Sequence, residues 1–199
     1  HIEPVQGEGG VWPSSKEFMS LIQSQASEKK LLFMVDEVQS GLCRTGKWFA
    51  FQHYEVEPDV VCIAKALGNG FPIAAVWART EIAVTFQAGD HGSTYGGNPL
   101  GTAAARKVLE IMERDDYPAK AKSLGESMKS ALDNLPRVIS VRGKGGMLAA
   151  ELDGEISKVV ANEATEKGLL VNSITPTAIR LTPPLSTSNA EVDEAMSIL

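Results

Sequence analysis

Two short apolar runs that each lead into a charged residue constrain this chain more than any other feature. Leu31-Leu32-Phe33-Met34-Val35 ends at Asp36, and Val60-Val61-Cys62-Ile63 stops two residues short of Lys65. Unbroken apolar runs of this length mark strands of a parallel sheet covered on both faces, because the alternation of polar and apolar residues is lost where neither face meets water. Ligands of open α/β sheets gather beyond the carboxyl ends of the strands, so Asp36 and Lys65 are predicted to face one crevice.

The remaining pattern fits around these strands. Ser14-x-x-Glu17 reads as a capping box for a helix that continues through Phe18, Leu21 and Ile22 to about Glu28. A third strand is predicted over 73–77, then a short helix, a glycine-rich loop over 89–97, and a helix from Pro99 through Ala103, Val108 and Ile111. After Asp115-Asp116-Tyr117-Pro118 the texture changes to a polar helix over 119–135, strands over 138–142 and 147–152, and a helix over 155–167. Strands over 169–172 and 179–182 and a helix from Asn189 follow. The predicted fold class is therefore α/β in two parts: residues 1–115 in a large, mostly parallel-sheet domain and residues 116–199 in a smaller α+β domain.

Composition narrows the partners. With 199 residues, 43% of them hydrophobic, the chain can bury a core. A formal net charge of -6 without any basic run argues against nucleic acid or an anionic membrane. No apolar run approaches the roughly 20 residues of a membrane-spanning helix, which leaves small molecules. Cys43 and Cys62 match neither a disulfide framework nor a zinc spacing, and so point to a reducing cytoplasm. His1-Ile2-Glu3-Pro4 reads as a strand already under way, and a preceding part of the protein is expected.

Most lysines stay solvated. Lys65, however, sits in Ile63-Ala64-Lys65-Ala66-Leu67-Gly68-Asn69-Gly70, and a lysine that loses hydration among apolar and small residues becomes a nucleophile towards an aldehyde. At the end of a buried strand Asp36 either caps a turn or needs a cationic partner, and a protonated pyridine nitrogen is one. Gly92, Gly96 and Gly97 around Ser93 and Thr94 suit the approach of backbone amides and hydroxyls to an anion. Two other signals fail. Gly41-x-x-x-x-Gly46-Lys47 has the spacing of an ATP-binding loop, but Trp48 stands where Ser or Thr would hold magnesium, and the acid-tipped strand comes before the loop instead of far beyond it. His53 and His91 lack ligand spacing, so no metal is expected.

Four blocks carry a family resemblance: Glu3-Pro4-Val5-Gln6-Gly7-Glu8-Gly9-Gly10; Asp36-Glu37-Val38-Gln39-Ser40-Gly41 with Arg44-Thr45-Gly46; Ala64-Lys65-Ala66-Leu67; and Gly92-Ser93-Thr94-Tyr95-Gly96-Gly97-Asn98-Pro99-Leu100. In this order they resemble class III aminotransferases of fold type I, along the whole chain, and the wording of 89–100 is most similar to the acetylornithine and ornithine branch. The resemblance implies pyridoxal 5'-phosphate as cofactor, with Lys65 joined to it covalently, Asp36 on its pyridine nitrogen, Val38 against the ring and Gln39 towards the phenolic oxygen. It further implies that Thr94 binds the cofactor phosphate of a second subunit, in a homodimer with shared sites, and that Ser93 lies at the substrate. Glu8 resembles the family's switch glutamate, and Arg180 the arginine that holds a substrate carboxylate in two parallel hydrogen bonds; an ordinary ion pair is the plain alternative. The chain departs from common family wording at Asn69, where glycine is usual, and at Leu42-Cys43.

The implied reaction, a step of arginine biosynthesis in the cytoplasm, moves the terminal amino group of N-acetylornithine to 2-oxoglutarate. Ornithine, succinylornithine or another ω-amino compound is the alternative donor. A catalytically silent fragment or dimerisation piece is the alternative of another class. The resemblance also makes this the C-terminal portion, with the phosphate-cradling loop and ring-stacking aromatic expected from the missing segment.

Overall fold

Ser15, not Ser14, caps the first helix. In the computed structural model, which describes residues 1–199, Ser14 donates its amide to the carbonyl of Pro4 at 3.0 Å. It thereby closes a hairpin of β1 (Val5–Gln6) and β2 (Trp12–Pro13). Ser15 is the first residue free to turn into a helix: its Oγ accepts the Phe18 amide at 3.0 Å, and α1 spans Lys16–Glu28.

The first main sheet has the order β3 (Met34–Asp36), β4 (Val60–Ile63), β5 (Ala75–Ala78). β3 and β4 are parallel, with Asp36 opposite Cys62, so the chain leaves both strands at one end of the sheet. β5 returns antiparallel. Phe33, Val35, Val60 and Val61 are buried, but Leu31 and Leu32 are 61% and 56% exposed. The predicted strand thus begins too early. The Leu31 amide is taken by the Ala26 carbonyl at 2.8 Å, with Lys30 at φ +54, which closes α1 in a Schellman motif.

Glu37, one residue beyond β3, is almost wholly buried. Its Oε2 accepts from the Ser40 hydroxyl at 2.6 Å and its Oε1 from the Phe51 amide at 2.8 Å. Burial pushes its carboxyl pKa up from 4.5. A carboxyl raised in the folded state contributes stability below its unfolded pKa, and loses it as pH rises through the folded value. Glu37→Gln in the complete protein is therefore expected to flatten this part of the stability-versus-pH curve while leaving stability at neutral pH equal or higher. Glu37→Ala leaves the Phe51 amide and a cavity without a partner, a loss of about 2 to 4 kcal/mol. Thermal unfolding at pH 5 and pH 8 checks both; a Gln variant that keeps the wild-type slope rules out Glu37 as its source.

A short helix, α2 (Thr80–Ala83), and the exposed loop over 84–98 lead to α3 (Pro99–Arg114), whose N-cap Asn98 accepts the Gly101 amide at 2.8 Å. Then come α4 (Tyr117–Leu132), β6 (Val138–Lys144), β7 (Met147–Leu152), α5 (Ser157–Glu166), β8 (Asn172–Thr175), β9 (Ala178–Leu181) and α6 (Asn189–Ile198). The four strands form an antiparallel sheet of order β6-β7-β9-β8. β8 starts where the predicted strand over 169–172 ends, for the same reason as at β3: Gly168 at φ +92 and the Leu169 amide on the Ala164 carbonyl, 2.8 Å, close α5.

The largest apolar cluster joins Leu42, Cys43 and Leu67 from the first sheet's loops to Leu124, Met128, Leu148 and Ile179. The loops beyond β3 and β4 are thereby pinned against the second sheet, and the site forms in that seam. No helix is long and apolar enough to cross a membrane.

Candidate active site

A cavity of about 890 Å³ opens in the seam, lined among others by Glu8, Val38, Gln39, Lys65, Asn69 and Arg180. That size suits a small ligand. Its charged lining consists of Arg44, Lys65 and Arg180 against the single acid Glu8.

Lys65 opens a tight 3-10 turn, Lys65–Leu67, immediately after β4, and its φ is +40. Non-glycine residues avoid this region, and held examples cluster at functional sites. The side chain is exposed and forms no ion pair, so the desolvation expected from the surrounding sequence is not supplied by this chain's residues. Asn69 lies at φ +46, and Leu42 and Cys43 at +53 and +69. All three departures from the family wording thus occupy left-handed backbone, where glycine is least strained and asparagine is tolerated better than most. Cys43 is wholly buried, and burial pushes its thiol up to about 12, which makes it an inert core residue.

Asp36 does cap the turn after β3: its Oδ1 accepts the Val38 amide at 3.0 Å. Its Oδ2 lies 3.5 Å from His1 Nε2. Asp36 is adjacent to the cavity in sequence but does not line it, whereas Val38, Gln39 and Lys65 do. Ser93 and Thr94 stand on the exposed loop and do not line it either.

Glu8 and Arg180, 172 residues apart, meet on the cavity wall. Arg180 projects from β9 and its Nη1 donates to Glu8 Oε1 at 2.9 Å and to Gln39 Oε1 at 3.3 Å. Gln39 Nε2 closes the triangle on Glu8 Oε1 at 3.4 Å. The Arg180 hydrogen bond, and then its charge, hold the Glu8 carboxyl below the ordinary glutamate value. The arginine side chain is 13% exposed and the glutamate 72%. A largely buried guanidinium whose counter-ion hangs in solvent can exchange that counter-ion for an incoming carboxylate.

Arg44 received no role from the sequence, although it stands in a quoted block. Its Nη1 donates to the carbonyls of Gly146 at 3.0 Å and Pro183 at 2.6 Å, 102 and 139 residues away. Burial lowers its pKa. No local spacing signals such a tie. Neither histidine departs from a structural role: His53 Nε2 lies 3.1 Å from the Thr45 carbonyl, and His91 packs edge-on to Phe86.

An exposed lysine amine at a strand's carboxyl end thus shares one cavity with a largely buried arginine whose acid partner is exposed. The chain belongs to the class III aminotransferases: the family model, Aminotransferase class-III, matches residues 1–199. It is 44% identical over 201 residues to the acetylornithine aminotransferase of Bacillus subtilis (strain 168), covering 100% of this chain and 52% of that protein. The ornithine aminotransferase of Toxoplasma gondii, described with PLP in partial occupancy at its active site, superposes with a TM-score of 0.90 at 33% identity, over 98% of this chain and 48% of that one. A transaminase from the marine bacterium Virgibacillus superposes with a TM-score of 0.92 at 29% identity, over 98% and 50%. The chain spans about half the length of these relatives. The fold is that of fold-type I aminotransferases, and the family depends on pyridoxal phosphate.

Proposed function

We propose that the complete protein is a homodimeric, cytoplasmic aminotransferase of arginine biosynthesis that moves the ω-amino group of N-acetylornithine to 2-oxoglutarate. The observation that carries this reading is the Glu8–Gln39–Arg180 triangle on the wall of the cavity that Lys65 also lines. The cavity lining suits the ring of the cofactor: Val38 offers an apolar contact, Lys65 a primary amine and Gln39 an amide, while the Asp36 carboxylate stands outside the lining, on the turn that its Oδ1 caps. When bound, pyridoxal phosphate supplies the electron sink for the carbanion at the donor carbon.

The side chains divide the work. Lys65 would hold the cofactor through Nζ and carry the proton to and from the donor carbon. With the cofactor bound, Asp36 would keep its pyridine nitrogen protonated, Val38 would offer the ring an apolar contact, and Gln39 would serve its phenolic oxygen. From the exposed loop, Thr94 would serve the phosphate in the second subunit's site and Ser93 would lie towards substrate. Glu8 neutralises Arg180 while a donor reacts through its ω-amine, and yields to the carboxylate of 2-oxoglutarate. Arg44 being tied to backbone carbonyls and Lys65 to the cofactor, Arg180 is the lining cation left for a carboxylate of that acceptor.

The acetylornithine reading rests on the wording of residues 89–100 and on the 44% identity given above; ornithine and succinylornithine are the competing donors. Glutamate formation from 2-oxoglutarate with N-acetylornithine, ornithine, succinylornithine and 4-aminobutyrate, using the complete protein, tests it. N-acetylornithine is expected to lead in kcat/KM by about 10-fold or more. A lead for 4-aminobutyrate overturns the substrate class, and a protein that stays colourless with added cofactor is a silent relative.

A further inference from the structure

The β1–β2 hairpin carries Glu8 in its turn, and each of its strands is two residues long; the Gly7 amide is held by the Glu3 carboxylate at 2.8 Å, but the bonds that close the turn, from the Gly10 and Val11 amides to the Gly7 carbonyl, are long at 3.4 Å. Two guanidinium groups lie beneath that turn. On the second sheet Arg142 of β6 pairs with Ala149 of β7, and Ala149 pairs with Arg180 of β9. Residues directly opposite in antiparallel strands share a face. The two arginines therefore stand on one face, two strand spacings or about 10 Å apart. Between them Ala149 belongs to an apolar cluster with Val5, Val11 and Met147, and both Ala149 and Val11 are wholly buried.

The hairpin turn crosses this row and is held at each end. At one end Glu8 meets Arg180. At the other, Arg142 donates Nε–H to the Gly10 carbonyl at 2.7 Å and lies 4.0 Å from the centroid of the Trp12 ring. Within the sheet its Nη1 donates to Glu151 at 2.6 Å, and Glu151 accepts from the Thr177 hydroxyl. The Gly10 carbonyl belongs to the peptide that enters Val11, a β-branched residue at φ +56, where such residues are outliers. Arg142 thus holds the peptide whose orientation sets that strained angle.

The two ends differ in what can replace them. Glu8 is 72% exposed, and a substrate carboxylate can take its place on Arg180. The Arg142–Glu151 pair is only 13% and 23% exposed, and the anchor point is a backbone carbonyl that no substrate mimics. We infer that Arg142 is the positioning residue of the Glu8 switch: it fixes the hairpin at Gly10 and Trp12, so that Glu8 alone is free to leave and return to Arg180. This rests on the reading of Glu8 and Arg180 given above. Without the anchor the turn over 7–10 loosens while Val5 and Val11 stay buried, Arg180 is covered for less of the time, and it draws the donor's own carboxylate and mis-seats its ω-amine.

The test uses the complete holoenzyme with Arg142→Lys, Glu8→Gln and the double variant. Lysine keeps the charge near Trp12 but offers one donor nitrogen where the guanidinium uses two, Nε on Gly10 and Nη1 on Glu151. Hydrogen exchange of the peptide over 5–13 and the two half-reactions, measured separately, are the readouts. In Arg142→Lys, exchange over 7–11 is expected to rise about tenfold or more. The donor half-reaction is expected to slow about tenfold, and KM for 2-oxoglutarate to fall because Glu8 no longer competes. The double variant should be no worse than Glu8→Gln. Unchanged exchange over 7–11, or both half-reactions slowed alike, overturns the role of Arg142. If Glu8→Gln shifts the balance of the halves and Arg142→Lys does not, the inference fails while the switch reading stands; if Glu8→Gln shifts nothing, the switch reading fails and takes the inference with it.

Discussion

Lys65→Ala in the complete protein abolishes transamination and covalent cofactor attachment, and leaves the fold intact. Both halves of this expectation follow from the position of the residue. Its side chain is exposed and belongs to no apolar cluster, so truncation removes no core volume. Its backbone sits at φ +40 after β4, a conformation that alanine bears no worse than lysine. What is lost is the amine, and with it both the covalent link and a proton carrier; the second loss alone is commonly about 10²- to 10⁴-fold. Lys65→Arg keeps the charge but removes both the link and the proton carrier, because a guanidinium stays protonated, and it is expected to be as inactive as the alanine variant. Borohydride reduction followed by peptide mapping locates the attachment. Label on any lysine other than Lys65 refutes the assignment.

Arg180→Ala is the second large effect, and it reports on substrate. Truncating the arginine of a carboxylate pair joined by two parallel hydrogen bonds costs about 2 to 5 kcal/mol, and this loss is expected in the half-reaction with 2-oxoglutarate, whose carboxylate would replace the singly bonded Glu8, as a raised KM. The donor half is expected to lose far less, because Glu8 rather than the donor occupies Arg180 there. Acid has a related effect. The Glu8 carboxyl is lowered by Arg180, so the ion pair contributes at neutral pH and is lost as pH falls through the folded value, which uncovers the guanidinium in the donor half. Measuring cofactor absorbance in each half-reaction separates the cases. Equal losses mean that the donor's carboxylate also rests on Arg180. A variant unaffected in both halves reduces Arg180 to a structural ion-pair partner.

What was legible in the sequence was whatever is decided within a few residues. The two apolar runs mark β3 and β4 because burial leaves no room for alternation, and glycine-rich wording marks the loop before α3. Element ends were less legible: Leu31 and Leu169 are apolar and invite a strand, but their amides turn back to close α1 and α5, a decision made by the helix termini. The choice between Ser14 and Ser15 was likewise settled by a hydrogen bond from Ser14 to Pro4, across the hairpin.

The sequence by itself determined the family, through four blocks in register, and it singled out Lys65, Asp36, Glu8 and Arg180 as chemistry-bearing residues. Only the tertiary structure decided which of them meet. Glu8 and Arg180 share a hydrogen bond across 172 positions because the β1–β2 turn lies over a row of the second sheet. Arg142 and Arg44, unremarked in any spacing, tie backbone carbonyls that are distant in the chain. The reason is physical: strand and helix patterns record contacts within a turn or along a pleat, whereas a guanidinium aimed at a carbonyl more than a hundred residues away leaves no periodic trace.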